Sequence, residues 1–234
     1  MSGVSRQLPL ELKLPVKASL NDYLASDRDV VIASLNNLLA NNSENLLYLA
    51  GSTGCGKSHL LSAACQLASQ RGLSIIYLPM KQHRDFIPQI CEGLEQAELV
   101  CIDDIDQVAG LADWEQALFH LFNRLRDGQR KLVVTGQVSA ANLEIKLPDL
   151  KSRLGWGVSH TLKALDDEEK KQLLQQHSAQ QGMELPDDTA SYLMNHHSRQ
   201  TGDLLQALDK LERASMAAQR KLTIPFVKQI LGNH

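Results

Sequence analysis

The first residues whose pattern could do chemistry are residues 51–58 of this 234-residue chain, which form a complete G-x-x-x-x-G-K-[ST] motif. Glycines at these positions let consecutive backbone N–H groups curl around a phosphate, and a helix beginning there adds partial positive charge. Lys57 can reach the β- and γ-phosphates, and the Ser58 hydroxyl can bind Mg²⁺. The structural alternative is a Gly-rich turn that only joins a strand to a helix. The predicted nucleotide-binding residues are Gly51, Ser52, Thr53, Gly54, Cys55, Gly56, Lys57 and Ser58.

A second candidate is the acidic pair Asp103 and Asp104, which ends an apolar segment that begins at Leu99. The apolar run favours a strand buried beside the strand that precedes the phosphate-binding motif. A carboxylate at the end of such a strand binds Mg²⁺ or orders a water on it, so Asp103 is the candidate Mg²⁺ ligand. Asp104 is the candidate group that polarises the attacking water. The structural alternative is that the pair merely ends a strand.

Alternating strands and helices predict the parallel sheet that must position these residues. Near-continuous apolar strands are typical of a parallel sheet that helices cover on both faces. On the predicted helix 113–126, the side chains Trp114, Leu118, Leu121 and Leu125 recur at helical spacing and are expected in the core. The predicted strands are Leu46–Ala50, Ser74–Leu78, Leu99–Asp103, Lys131–Thr135 and Val158–Leu162, and the helices between them are Ser58–Gln70, Gln82–Glu95, Asp113–Arg126 and Asp149–Leu154.

The strand pattern stops after about Ala164, and only helical patterns follow. Start signals such as Asp166, Pro186 and Thr201 mark these helices, with Thr201 able to cap the third. The sequence therefore predicts an extended segment at 1–18, an α/β nucleotide-binding domain at 19–164 and a small all-helical domain at 165–234. The predicted helices of the last domain are Asp166–Gln181, Asp187–His197, Thr201–Gln219 and Pro225–Leu231.

Composition narrows the class of protein. A net charge of −3 and a pI near 6.2, with no lysine-rich run, give no support to bulk binding of DNA or membrane. The cysteines show no paired spacing and are typical of reduced thiols. The sequence contains no secretory signal pattern and no stretch long enough to span a membrane, so we expect a cytoplasmic protein. The cysteines are Cys55, Cys65, Cys91 and Cys101.

Three segments together resemble the AAA+ core of the DnaA-type replication initiator family. They are the phosphate-binding motif followed by His59-Leu60-Leu61, the segment Ile102-Asp103-Asp104-Ile105, and residues 150–157, which read LKSRLGWG. The last segment is the most specific. The resemblance covers roughly residues 20–234 and implies an α/β fold, with a P-loop AAA+ parallel sheet flanked by helices and followed by a small helical lid. It also adds His59 to the nucleotide-binding residues.

The same resemblance assigns a role to Arg153. In AAA+ proteins an arginine at this position of the motif points out of one subunit and neutralises charge on the γ-phosphate bound by the next. Arginine suits this role because its planar guanidinium stays charged and grips phosphate oxygens in two places. The resemblance therefore implies that Arg153 is an arginine finger acting in trans and lying at the surface. The alternative is a local salt bridge with Asp149, one helical turn earlier.

Residues 7–12, which read QLPLEL, are similar to the motif by which proteins bind the DNA polymerase sliding clamp. In an extended peptide the three leucines project to one side as apolar anchors, and Gln7 offers a directional amide. The alternative is that this segment packs on the core as an edge strand. The chain also ends after the predicted lid, without the DNA-binding domain of the initiators. Together these features resemble the DnaA-homologous inactivators of the initiator. The predicted clamp-binding residues are Gln7, Leu8, Leu10 and Leu12.

Two positions depart from the family pattern. Gly202 stands where the initiators carry a lid arginine, with Arg199 as a possible substitute, and Gln137 stands where they carry an acidic residue. A site without the lid cation loses one contact to the γ-phosphate. This departure favours ADP or another nucleoside diphosphate with Mg²⁺, although ATP is also possible, and predicts weak or absent hydrolysis by this chain alone.

The resemblance implies a negative regulator of DNA replication initiation. Such a regulator would bind the clamp, associate with DNA indirectly through it, and stimulate hydrolysis of DnaA-bound ATP; it could also form homo-oligomers. Two alternatives remain at this stage. One is a helicase-loader-type AAA+ ATPase that hydrolyses its own ATP on DNA, and the other is a P-loop small-molecule kinase. A basic face would favour the first, and residues 150–157 argue against the second.

Overall fold

The computed structural model describes residues 18–40, 45–198 and 200–232. The predicted clamp-binding residues Gln7, Leu8, Leu10 and Leu12 and the substitute lid cation Arg199 lie outside the described residues. Among the helices that are described, none combines the length and the apolar composition needed to cross a lipid bilayer.

Five parallel strands form one sheet in the order β2-β3-β4-β1-β5. The predicted α/β fold with a parallel sheet is confirmed. The prediction that β3 lies directly beside β1 is wrong, because β4 lies between them and pairs with both. The carboxyl ends of β1, β3 and β4 nevertheless share one edge of the sheet. The strands are β1 Leu46–Ala50, β2 Ile75–Pro79, β3 Leu99–Asp103, β4 Lys131–Gly136 and β5 Val158–Thr161.

Helices cover both faces of the sheet and form the C-terminal part of the described chain. Helix α1, before β1, was not predicted. Asp166 caps α5 in a reciprocal capping box with Glu169, as its position in the sequence suggests. Thr201 does not cap α7 but is its first residue. The helices are α1 Arg28–Leu39, α2 Lys57–Gln70, α3 Ala112–Asp127, α4 Pro148–Leu154, α5 Asp167–Gln180, α6 Asp187–His196, α7 Thr201–Ala218 and α8 Ile224–Leu231.

The predicted helix at 82–95 is wrong. Three short 3₁₀ helices occupy this segment, at Met80–Asp85, Pro88–Cys91 and Leu94–Gln96. Pro88 supplies no backbone N–H, and the residue before a proline is disfavoured in the α region, so a helix cannot run through it. Gly93 then takes a positive φ of 82° and breaks the chain direction a second time.

Alternate side chains of each strand enter different cores, as expected for a sheet buried on both faces. Tyr48 of β1 packs with the α3 side of the sheet, whereas Leu47 and Leu49 pack with α2. The predicted core face of α3 is confirmed, because Trp114, Leu118, Leu121 and Leu125 are all buried. A third core lies entirely among the C-terminal helices and includes Leu174, Leu193, Leu208, Leu211 and Phe226.

Gly157, just before β5, lies where no side chain fits. A Cβ atom there would be 2.2 Å from the backbone oxygen of Leu46, whereas one at Gly155 would have no contact closer than 3.4 Å. We expect Gly157→Ala to lower the free energy of unfolding by about 1–3 kcal/mol, because β5 must shift away from β1. Urea denaturation measures this. Gly155→Ala is the control and should change it by less than about 0.5 kcal/mol; equal effects of the two variants would contradict the prediction.

Candidate functional site

A cleft of about 270 Å³ lies at the carboxyl edge of the sheet, where α2 begins. Ligands bind outside the carboxyl ends of the strands in open α/β sheets, because loops and helix N-termini converge there. Three parts of the chain form its walls: the segment before α1, the phosphate-binding motif with the loops after β2 and β3, and the C-terminal helices. Its lining includes Asp22, Tyr23, Leu24, Thr53, Gly54, Cys55, Gly56, Lys57, Ser58, His59, Lys81, Asp104, Leu165, Leu173, Thr201, Gly202 and Leu205.

The phosphate-binding motif has the backbone that its sequence predicts. Gly54 and Gly56 take positive φ values of 84° and 95°, and a Cβ atom on Gly56 would come within 2.9 Å of the Tyr23 ring. Gly56 is also the N-cap of α2 and offers no side-chain acceptor. The first N–H groups of α2 therefore have no side-chain cap, which leaves them available to an anion.

Lys57 is 6% exposed, and its ammonium lies inside the loop. Its Nζ donates to the carbonyl oxygens of Gly51 at 2.6 Å and Ser52 at 3.1 Å. A buried ammonium whose acceptors among the described residues are two neutral carbonyl groups gains electrostatically from a bound anion. Cys55 contributes a small buried side chain, and burial raises the pKa of its thiol, so it is not a thiolate nucleophile. The motif residues thus form a loop whose donors could hold an anion.

Asp103 does not line the cleft. Its Oδ2 accepts a hydrogen bond from Tyr77 Oη at 2.7 Å, and its Oδ1 accepts one from Thr135 Oγ1 at 2.5 Å. Burial, followed by the nearby Asp103 carboxylate, raises the pKa of Tyr77 above its usual value, so the phenol keeps its proton and donates. Asp103 therefore joins β3 to its two neighbouring strands. The structure does not bring this predicted Mg²⁺ ligand next to Ser58 in the cleft lining.

Asp104 does face the cleft. It has a positive φ of 55°, and its backbone N–H donates to Thr135 Oγ1 at 2.8 Å, which fixes its position at the end of β3. Its side chain is only 6% exposed, and its Oδ2 lies 2.8 Å from Lys81 Nζ. This hydrogen bond raises the pKa of Lys81. The candidate general base is thus held in an ion pair with a lysine that the sequence reasoning missed.

A Mg²⁺ ion normally keeps several waters and binds one or two carboxylates together with the phosphates. Ser58, which faces the cleft, fits this role. The carboxylates fit it poorly, because Asp103 is directed into the sheet and Asp104 is paired with Lys81. Among the described residues, the other carboxylate of the cleft is Asp22, whose Oδ1 accepts hydrogen bonds from Gln176 and Gln180.

The segment before α1 forms a wall that sequence reasoning also missed. Tyr23 is 3% exposed, and its hydroxyl donates to Asp27 Oδ1 at 3.1 Å. The Nε2 atom of His59 lies 3.0 Å from the backbone oxygen of Ser19, so the predicted contact residue His59 binds the protein's own chain. Tyr23, Leu165 and Leu173 give this end of the cleft an apolar lining suited to a flat ring.

The lid wall of the cleft comes from α7. Thr201, Gly202 and Leu205 line it, and a Cβ atom at Gly202 would meet nothing within 4 Å. The site therefore has open space at the position where the sequence departs from the family pattern. The cations that line the cleft within the described residues are Lys57 and Lys81.

Arg153 lies away from this cleft, in the last turn of α4, and lines a second cavity of about 380 Å³. Its guanidinium carbon is 4.5 Å from the ring centre of Trp156 and 5.5 Å from that of Phe119. Its Nη1 atom is buried and has no hydrogen-bond partner in the part of the chain that the structure describes. Within the described residues Arg153 makes no ion pair, so the alternative salt bridge with Asp149 is absent. Trp156 is 61% exposed.

Comparison with known families and structures agrees with this architecture. Residues 21–161 match the model of the bacterial DnaA ATPase domain, which is more than half of the chain, and residues 167–231 match the model described as Hda, lid domain. Domain III of the replication initiation protein DnaA from Thermotoga maritima superimposes with a TM-score of 0.79 at 21% identity, covering 93% of this chain and 97% of that one.

Two further structures share the fold. AMPPCP-bound DnaA from Aquifex aeolicus has a TM-score of 0.66 at 21% identity and covers 88% of this chain and 71% of that one. The T158V form of RuvB from Thermotoga maritima has a TM-score of 0.67 at 16% identity and covers 91% and 70%. The chain therefore belongs to the bacterial DnaA ATPase-domain family as a DnaA-homologous AAA+ protein, with a C-terminal helical domain of the Hda lid type.

Proposed function

We propose that this DnaA-related replication regulator, with a nucleoside diphosphate in its P-loop cleft and tethered to the sliding clamp, stimulates hydrolysis of DnaA-bound ATP through Arg153. The observation that carries the proposal is the state of the Arg153 guanidinium. It is stacked on aromatic rings, free of ion pairs within the described chain, and buried at one unpartnered nitrogen.

The aromatic contacts support a positioning role for Trp156 and Phe119. Stacking on an aromatic ring stabilises a guanidinium by about 0.5–2 kcal/mol and limits its orientations without using its N–H donors. A buried N–H that has no acceptor costs about 1–3 kcal/mol. An oxygen of a docked partner's nucleotide would remove that cost once the guanidinium turns outward from its stacked position. Among the described residues, Arg153 is thus a cation held by aromatic stacking that lacks an acceptor.

Several features of the cleft support a weak ATPase in this chain alone. Asp104 is held by Lys81, and the lid adds no cation at Gly202. Stabilising charge on a transferred γ-phosphate normally requires several cations around it. The cleft is consistent with a stably held diphosphate that keeps the AAA+ domain and the lid together. Its apolar wall beside Tyr23 suits the base, and Lys57 suits the β-phosphate.

The decisive experiment measures turnover of ATP bound to DnaA. We expect hydrolysis to be fast only when this protein, the clamp and DNA are all present, and slow when any one of them is omitted. Tethering two proteins on one clamp raises their effective concentration to roughly the millimolar range, which makes the trans contact efficient. If this protein hydrolysed free ATP rapidly and left DnaA-bound ATP unchanged, the proposal would be wrong.

The proposed tether predicts that changes in the N-terminal segment affect clamp binding without affecting thermal stability. We expect the double variant Gln7→Ala, Leu8→Ala to lose clamp binding while its melting temperature stays unchanged, because an anchor leucine contributes about 1.5–3 kcal/mol on burial at the clamp. Surface plasmon resonance with immobilised clamp measures the binding, and the conservative variant Leu8→Met is the control. Normal clamp binding by the double variant, or melting several degrees lower, would contradict the tether.

A further inference from the structure

The carboxylates around the phosphate end of the cleft all have partners from the protein itself. Asp103 uses both oxygens to accept hydrogen bonds from Tyr77 and Thr135, within the sheet. Asp104 is paired with Lys81 at 2.8 Å. In P-loop proteins carboxylates at these strand ends hold Mg²⁺ or its waters. The cation beside Asp104 in this chain is an ammonium.

The geometry of the pair follows from the register of the sheet. Pro79, the last residue of β2, is directly opposite Asp103 of β3. Lys81, two residues after β2, and Asp104, directly after β3, therefore lie side by side at the carboxyl edge. Asp104 is fixed by its backbone hydrogen bond to Thr135 and is 6% exposed, whereas the Lys81 side chain is 62% exposed. An exposed cation thus neutralises a fixed, buried anion.

We propose that Lys81 takes the place of a divalent cation at Asp104, so that this chain binds a nucleoside diphosphate without requiring Mg²⁺. The inference rests on the nucleotide site of the proposed function and goes further, because it concerns how that site balances its charge. A Mg²⁺ ion entering beside Asp104 would displace or repel the Lys81 ammonium and gain little there. The diphosphate would be neutralised by Lys57 and the first N–H groups of α2, while Lys81 balances Asp104.

Calorimetric titration with ADP tests this inference, in buffer containing Mg²⁺ and in buffer containing EDTA. For the wild-type protein we expect the two dissociation constants to agree within about threefold. In Lys81→Met the carboxylate of Asp104 loses its partner and can engage Mg²⁺ or its waters. We therefore expect EDTA to weaken ADP binding by about tenfold or more in this variant. Lys210→Met, at an exposed lysine of α7, is the control and should behave as wild type.

The double variant Lys81→Met, Asp104→Asn separates this role from a structural one. It removes both charges, so no buried carboxylate is left unpaired, and we expect ADP binding to be independent of Mg²⁺ again. Lys81→Arg keeps the cation and should also be independent of Mg²⁺.

Two results would overturn the inference. If the wild-type protein lost ADP affinity tenfold or more in EDTA, Lys81 would not replace the ion, although the proposed function would stand. If ADP failed to bind in both buffers, the nucleotide site of the proposed function would be overturned as well.

Discussion

Replacing Arg153 by alanine is expected to lower the stimulated hydrolysis of DnaA-bound ATP by a factor of about 10³ or more. An arginine that reaches a neighbouring γ-phosphate contributes this much because it neutralises charge that develops only in the transition state. The side chain makes no ion pair within the described residues, and its Nη1 atom has no acceptor, so its loss removes no internal bond that the fold needs. Circular dichroism and ADP binding should stay at wild-type values.

Arg126 provides a matched control for this experiment. It also lies over the Trp156 ring, at 5.7 Å, but it is exposed and paired with Asp127 at 3.0 Å. Arg126→Ala removes one positive charge from the same surface and should reduce stimulation by no more than about tenfold, since rim charges mainly affect association. If Arg153→Ala stimulated hydrolysis at the wild-type rate, or if both variants lost activity equally, Arg153 would be no finger.

Lys57→Ala is expected to weaken ADP binding by about 10- to 100-fold, the effect of losing one charge-assisted hydrogen bond worth about 1.5–3 kcal/mol. The α2 N-terminus and the loop N–H groups would then hold the phosphates alone. Isothermal titration calorimetry measures the change, and Lys210→Ala serves as the control because that side chain lies outside the cleft lining.

The same titrations on the wild-type protein compare ATP with ADP. We expect their affinities to agree within about tenfold, because α7 brings no cation to the γ-phosphate at Gly202. Undiminished ADP binding by Lys57→Ala would show that the ligand binds elsewhere. A large preference for ATP would contradict the interpretation of the lid wall.

Features that depend on local patterns could be predicted from the sequence. The backbone of the motif at 51–58 is determined by its own Gly54 and Gly56, which take positive φ values. Asp166 likewise caps a helix that begins at the next residue. The predicted helix at 82–95 is wrong for a local reason as well. The composition of the segment favours a helix, but Pro88 and Gly93 interrupt it.

Features that depend on the order of the strands could not be predicted. The pairs Tyr77–Asp103 and Lys81–Asp104 join residues about two dozen positions apart, and they exist because β2 lies beside β3 in one particular register. The cleft wall formed by Tyr23 likewise could not be predicted. Tyr23 lies in the segment before α1, which has no helical or strand pattern, and only the fold places it against Gly56. The sequence predicts Asp104 as the group that polarises water, and the structure places it in the cleft lining, but the identity of its partner required the sheet.

The contact between His59 and Ser19 limits the distance between the nucleotide cleft and a clamp bound to the N-terminal segment. Ser19 contacts the cleft residue His59 and lies seven positions after Leu12, the last predicted anchor on the clamp. Whatever its conformation, a chain of seven residues reaches at most about 25 Å. If the clamp binds residues 7–12, the nucleotide cleft of this chain therefore lies within about one protein diameter of the clamp surface. The regulator would then act only on initiators assembled next to a loaded clamp. The length of the linker at residues 13–18 would set how far along the DNA it can act.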